Sequence, residues 1–386
     1  MGPHVGKVNR DRILFVSPSS PFEVSSGTHQ RSRLLYRAVC RLGDVDVAVI
    51  QHGTEVSAVR ADTDGARAVD ATVPERQDFS RFDPSPPLTA AIEAALATSI
   101  GSYRIVVGRH LWPVTQIAVP AAVPVIADVD DFRYRYSRNA SLTAKVLAER
   151  VRKYLSHQLT RHRMLRLQGA FFASDRDRRD LPGLESAVLP NVPVNVPSAG
   201  LPDAGNARIL FVGSLWYRPN REGVDWFLDR VWPQVLREIP AADFRLIGAA
   251  SEEVRSRWKG RPRVTAPGFA EDLAAEYAAA SFVVSPVQSG GGTNIKVLEA
   301  LAYGRACVSS DFCLQAFGDA LQRGRDLLVA GDADAFAARC IDLLRDAAQR
   351  SEIARNGRAA VLEHFSVDAF EAIATGFVSR VMARGS

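Results

Sequence analysis

Two kinds of block alternate along this chain. Short continuous apolar runs, of strand length, recur between longer stretches in which apolar residues return every three or four positions. Residues 12–17 (RILFVS), 46–51 (DVAVIQ), 104–107 and 123–128 read as buried strands, with residues 31–42 as a helix between the first two. A short helical stretch separates the last pair. A proline-rich run, residues 189–205 (LPNVPVNVPSAGLPDAG), then interrupts the pattern as an extended linker would. The alternation restarts with a strand at 208–213, a helix at 224–236 and a strand at 243–248. Apolar strands alternating with helices predict parallel sheets covered on both faces. The expected fold is therefore α/β, with two Rossmann-like doubly wound domains. The first spans 1–190 and the second 207–365, with a linker at 191–206 and a closing helical segment at 366–386.

The block at 285–310, SPVQSGGGTNIKVLEALAYGRACVSS, is the most informative. It reads as the end of a strand (282–284), a glycine turn at Gly290, Gly291 and Gly292, a helix from about 293 to 302, and a strand at 306–308. Glycines let a ligand approach the backbone closely. The first-turn N–H groups of the helix carry partial positive charge, which suits a phosphate or diphosphate. Glu299, read as two helical turns below the loop, is placed to accept paired hydrogen bonds from sugar or ribose hydroxyls. Sheets of this kind bind ligands beyond the carboxyl ends of their strands, where Gly27, Gly108, Gly213 and Gly248 fall.

Composition narrows the picture without adding chemistry. At 386 residues the chain fits two domains, and 47% hydrophobic with 24% charged residues is an ordinary soluble balance. No apolar run reaches membrane-span length, and the first, residues 13–16, is too short for a secretory signal. Four cysteines show neither zinc nor redox spacing, so a reduced cytoplasmic location is expected. A net charge of +5 gives no argument for nucleic acid. One segment stands apart. In residues 140–166, Leu147, Val151, Tyr154, Leu155 and Leu159 share a helical face, while Lys145, Arg150, Arg152, Lys153, Arg161, Arg163 and Arg166 face a single acid, Glu149. Such a helix either lies on an anionic membrane surface, at the inner face of the membrane, or packs its apolar side on its own domain.

Five segments in this order, SPSSPFEVSSGTHQRSRLL, ILFVGSLWYRPNREGVDWF, VTAPGFAEDL, FVVSPVQSGGGTNIKVLEALAYGRACVSS and LEHFSVDAF, resemble the GT-B fold retaining glycosyltransferases of glycosyltransferase family 4 (group 1). The resemblance implies two domains facing a central cleft, with the last helix crossing back to the first. It implies transfer of a hexose from a nucleotide-diphosphate sugar to a saccharide or lipid-linked acceptor, with retention and without a metal. The donor would meet Gly213, Ser214, Asn220 and the loop Gly291, Gly292, Thr293 and Asn294. Its ribose would meet Glu299 and its base Phe269 or the neighbouring backbone. Gly27 would face the diphosphate and acceptor, and His110 the donor sugar or reacting centre. With Lys296 and Glu299, His110 completes the expected catalytic set.

The chain departs from the family pattern at two points. Gly291 stands where the first glutamate of a Glu-x7-Glu pair is common, and Gly213 is followed by Ser214, leaving Arg218, Asn220 and Arg221 as the nearby candidates for holding phosphate. Lys296 either takes over as the phosphate cation or solvates a helix face. Arg109 is a candidate for an acceptor carboxylate or phosphate, and Arg31 for a phosphate contact or a first-turn surface position. Asp128, Asp130 and Asp131 form a D-x-D-like cluster, read as helix-capping or acceptor-side groups rather than a metal site. A catalytically inactive nucleotide-sugar-binding protein, or a GT-B epimerase or phosphorylase, is the alternative reading.

Overall fold

A computed structural model describes residues 10–22, 27–52, 60–61, 67–73, 84–130, 144–290 and 293–384. Gly291, Gly292 and Asp131 lie outside the described residues. The chain forms two compact units, Met1–Leu189 with Phe370–Ser386, and Pro190–Ala369.

The first unit is built on β1 (Arg12–Ser17), β2 (Asp44–His52), β3 (Arg60–Ala61), β4 (Arg67–Val73), β5 (Ile105–Arg109), β6 (Val125–Asp130), β7 (Gly169–Phe172) and β8 (Ser186–Val188). Their order is β3-β4-β2-β1-β5-β6-β7-β8, parallel except for the β3–β4 pair. Ile13 to Val16 and Val47 to Ile50 are buried on both faces, which is why these strands read as continuous apolar runs. β2 begins two residues ahead of Asp46, at Asp44, and Asp46 is an interior residue. Its carboxylate accepts from Arg12 (2.6 Å), Arg67 (2.7 and 3.0 Å) and Tyr103 (2.7 Å). The Gly27–Cys40 helix likewise starts ahead of the expected residue 31.

The second unit holds β9 (Arg208–Val212), β10 (Asp243–Ile247), β11 (Val264–Gly268), β12 (Phe282–Ser285), β13 (Ala306–Ser310) and β14 (Leu328–Ala330), in the order β11-β10-β9-β12-β13-β14, all parallel. The helix expected at 224–236 is longer. It runs as Arg218–Trp226, a π-helical turn Phe227–Val231, and Trp232–Glu238. The wide turn precedes Pro233, which has no N–H to continue a regular ladder. In each sheet the strand order reverses once, between β1 and β5 and between β9 and β12, and doubly wound sheets bind ligands at such reversals.

The proline-rich segment is a strap on the second unit rather than a free spacer. Leu201 N donates to Tyr303 O (2.9 Å), Arg305 to Pro202 O (2.7 Å) and Arg358 to Pro197 O (2.7 Å), while Arg350 grips the Asp203 carboxylate at 2.7 and 2.6 Å. Prolines offer carbonyls but no N–H groups, so arginine donors are the complementary partners. The last helix, Val367–Arg384, packs on the first unit. Phe377 stacks near Phe171 (4.9 Å between centroids), and Arg104 donates to Met382 O (2.6 Å). The Ala144–Met164 helix does not pack its apolar stripe on its own unit: Leu147, Val151, Tyr154, Leu155 and Leu159 are exposed. Among the described residues, no helix is long and apolar enough to cross a membrane.

Candidate functional site

At the reversal point of the second sheet, the turn after β9 and the glycine turn after β12 flank a buried lysine. Lys296 is the second residue of the helix Ile295–Ala302. A Cβ built on Gly213 would come within 3.1 Å of Lys296 Cε and 3.0 Å of Asn220 Nδ2, so only glycine leaves this approach open. Asn220 is fixed by donating Nδ2 to Ser214 O (2.8 Å). Gly213, Ser214, Asn220 and Lys296 are thus brought together from three elements. The alternative of a solvated surface lysine is excluded, because Lys296 is buried.

Three polar groups here lack partners. Lys296 makes no hydrogen bond or salt bridge among the described residues, and burial pushes its pKa below that of an ordinary lysine, against smaller effects of Cys313 and Glu299. Asn220 Oδ1 and Asn294 Nδ2 are buried without hydrogen-bond partners among the described residues. Buried polar atoms in folded proteins are nearly always bonded. An ammonium and two amides left open around one turn mark a place built for a polar, anionic ligand. Asn294 is held in the left-handed region (φ 51°, ψ 55°), which asparagine tolerates, and it opens the helix without a side-chain cap.

The helix begins at Ile295, not at residue 293, so Glu299 lies little more than one turn into it rather than two. It follows Lys296 by three residues and shares its face. Burial raises the Glu299 carboxyl to about 7, partly opposed by Lys296. Thr293 is buried, and its Oγ1 accepts from Asn191 N (3.0 Å), tying the strap to the loop. Phe269 follows β11, two strands from β9, with its ring exposed. Arg218 pairs with Glu222 one turn along its own helix (2.7 Å), and Arg221 donates to the carbonyls of Leu215 (3.2 Å) and Trp216, bracing the turn after β9. Sequence reasoning missed Tyr217. Its hydroxyl lies 2.9 Å from where a Cβ on Gly290 (φ +118°) would stand, so the ring covers the glycine turn. Nothing in the spacing of SLWYRPN signals that contact.

The first unit has its own cluster at the β1–β5 reversal. His110 follows β5 with φ 62° and ψ 153°, a conformation that side chains rarely adopt. Arg109 Nη1 lies 3.1 Å from His110 Nδ1. A guanidinium can only donate, so Nδ1 accepts and the ring proton sits on Nε2. Arg109 is itself buried and 3.4 Å from Asp128, which corrects its reading as an acceptor contact. Arg31 is neither a phosphate contact nor a surface residue: it is buried and donates to both Asp128 oxygens (2.8 and 2.7 Å) and to Leu189 O (2.8 Å). Asp128 accordingly caps no helix. It is the buried counter-ion of two arginines inside β6. Gly108 lies within β5 and makes room for Val114, whose Cγ2 would stand 1.8 Å from an added Cβ. Gly27 opens the Gly27–Cys40 helix. Among the described residues no group of three or more His, Cys, Asp or Glu is arranged to hold a metal.

Residues 206–346, which contain all six strands of the second sheet, match the family model described as glycosyl transferases group 1. The chain is similar to the sucrose-phosphate synthase of Thermosynechococcus elongatus, with a TM-score of 0.69 and 17% identity over 98% of this chain and 100% of that one. It is also similar to Anabaena Alr3699/HepE, solved in complex with UDP, with a TM-score of 0.62 and 13% identity over 97% and 100%. The fold is GT-B. A Klebsiella pneumoniae sequence described as an uncharacterized 44.6 kDa protein in the cps region is 29% identical over 172 residues, 42% of this chain and 44% of that relative's length. The matched segment contains Gly213, Asn220, Lys296 and Glu299, while His110 belongs to the other unit.

Proposed function

We propose that the protein is a retaining glycosyltransferase of hexosyl type, moving a sugar from a nucleoside-diphosphate donor to a hydroxyl of a saccharide or lipid-linked saccharide. One observation carries the reading. Lys296 is a buried ammonium without a hydrogen bond or salt bridge among the described residues, lying against Gly213 at a strand-order reversal. Burying an uncompensated charge is strongly unfavourable, and a diphosphate supplies the missing anion. The start of the helix Ile295–Ala302, beyond Thr293, offers the second phosphate contact. Glu299 takes the ribose hydroxyls. Phe269, two strands away at about 4.8 Å per strand, takes the base.

In the reaction the bond between the anomeric carbon and the diphosphate oxygen breaks, and the acceptor oxygen bonds to the same face of that carbon. The acceptor proton passes to the departing diphosphate, whose growing charge Lys296 stabilises. His110, with its ring proton on Nε2, is a hydrogen-bond donor instead of a base. The scheme uses no metal, because Lys296 and the helix start meet the charge of the departing diphosphate.

The cps-region relative and the UDP bound to Alr3699/HepE make UDP-sugars and polysaccharide assembly the first choices to test. The experiment is acceptor-dependent nucleotide release from UDP- and GDP-sugars, with the anomeric configuration of the product read by NMR. Release with retained configuration is expected. Tight donor binding with no transfer to any saccharide would favour the second reading, a nucleotide-sugar-binding protein, which Gly291 at an otherwise acidic position supports.

A further inference from the structure

The Ala144–Met164 helix is inverted relative to an ordinary amphipathic helix on a domain surface. Leu147, Val151, Tyr154, Leu155 and Leu159 are 55, 51, 52, 55 and 51% exposed. At about 100° per residue they form one stripe some 140° wide, and Leu165, at 47%, continues its line past the helix end. The side that docks is the opposite one. His157 and Thr160 are half-buried there, and Met164 is fully buried with Ala127, Ala170 and Phe172. An apolar stripe of this size on a water-facing surface, broken by Gln158 and His162, marks an interaction site.

Charge selects the occupant. Arg152 and Arg163 fall just beyond one edge of the stripe and Arg161 just beyond the other. Residues 145–166 hold seven Lys and Arg against one acid, Glu149. A second copy laid on the stripe would bring two such basic helices together, and like charges repel. Nucleic acid would satisfy the arginines but leave the leucines in water. An anionic bilayer satisfies both, with leucines among the acyl chains and long arginine stems reaching back to lipid phosphates.

We propose that this helix lies in the headgroup layer of an anionic bilayer, its apolar stripe inserted and its flanking arginines on lipid phosphates. The proposal is independent of sugar transfer. If both hold, the acceptor is met at the membrane surface.

The test uses the full chain and vesicles of phosphatidylcholine with or without one-third phosphatidylglycerol. Binding to the anionic vesicles is expected at low salt, weakening at least tenfold at 0.5 M salt, where charges are screened within a few ångströms, with little binding to neutral vesicles. The Leu155→Ser/Leu159→Ser variant alters exposed positions. It should keep its melting temperature and its stabilisation by UDP while losing vesicle binding about tenfold. Tyr154→Trp should show a blue-shifted emission on anionic vesicles alone. Failure of the wild type to bind them overturns the proposal, as does equal binding by the serine variant. A lipid-free dimer that the serine variant dissolves would assign the stripe to a second copy instead.

Discussion

Lys296 Cε lies 3.1 Å from the point where a Cβ on Gly213 would stand. That approach brings the end of β9 against the helix after β12. A methyl group there forces the lysine and Asn220 to give by a few tenths of an ångström. Gly213→Ala should cost about 1–3 kcal/mol in folding stability. It should also weaken nucleoside-diphosphate binding roughly tenfold, or about 1.4 kcal/mol. Denaturant melts and calorimetric titration with UDP check the two effects separately.

Glu299 makes the protein pH-sensitive in a definite direction. Its carboxyl is raised to about 7 in the folded chain, against about 4.3 when unfolded. The folded state therefore holds the extra proton between those values, and stability falls as pH rises through that window. The contribution is fully present below pH of about 4.3 and lost above about 7, on the order of 3–4 kcal/mol in all. Glu299→Gln should flatten this slope in denaturant titrations run from pH 5 to 8. Because the ionised carboxylate is the form that accepts ribose hydroxyls, UDP affinity should rise between pH 6 and 8 in the wild type and stay flat in the variant.

Asp128 is expected to be structural. Removing its charge leaves Arg31 and Arg109 buried together, so Asp128→Asn should destabilise by about 3–5 kcal/mol. A loss below about 1 kcal/mol in chemical denaturation would contradict the buried-counter-ion account. Transfer activity should be unchanged by EDTA, since Arg31 occupies both carboxylate oxygens.

Much of the fold was legible because strands buried on both faces must be continuously apolar, and β1, β5, β9 and β12 are. Their ends were not, since a polar residue such as Arg109 stays inside when a partner distant in sequence satisfies it. Arg31 and Asp128 are 97 residues apart, and no local pattern pairs them. The site helix was legible from its glycines and Glu299, but its left-handed start at Asn294 moved Glu299 closer to the loop. Periodicity revealed the apolar stripe from Leu147 to Leu159. It could not say which side of the helix the domain would cover, because that depends on the docking of Met164.

The central claim is that Lys296 is held buried and unpaired to receive a diphosphate. The direct measurement is the thermal stability of wild type and Lys296→Met, each alone and with saturating UDP or UMP. Methionine keeps the aliphatic stem and removes the buried charge, so the ligand-free variant should melt at or above the wild-type temperature. UDP at 100 times its Kd should stabilise the wild type by about 2.7 kcal/mol. UMP at the same concentration should do much less, and UDP should barely shift the variant. Equal stabilisation of both proteins by UDP, or of the wild type by UDP and UMP, would contradict the account.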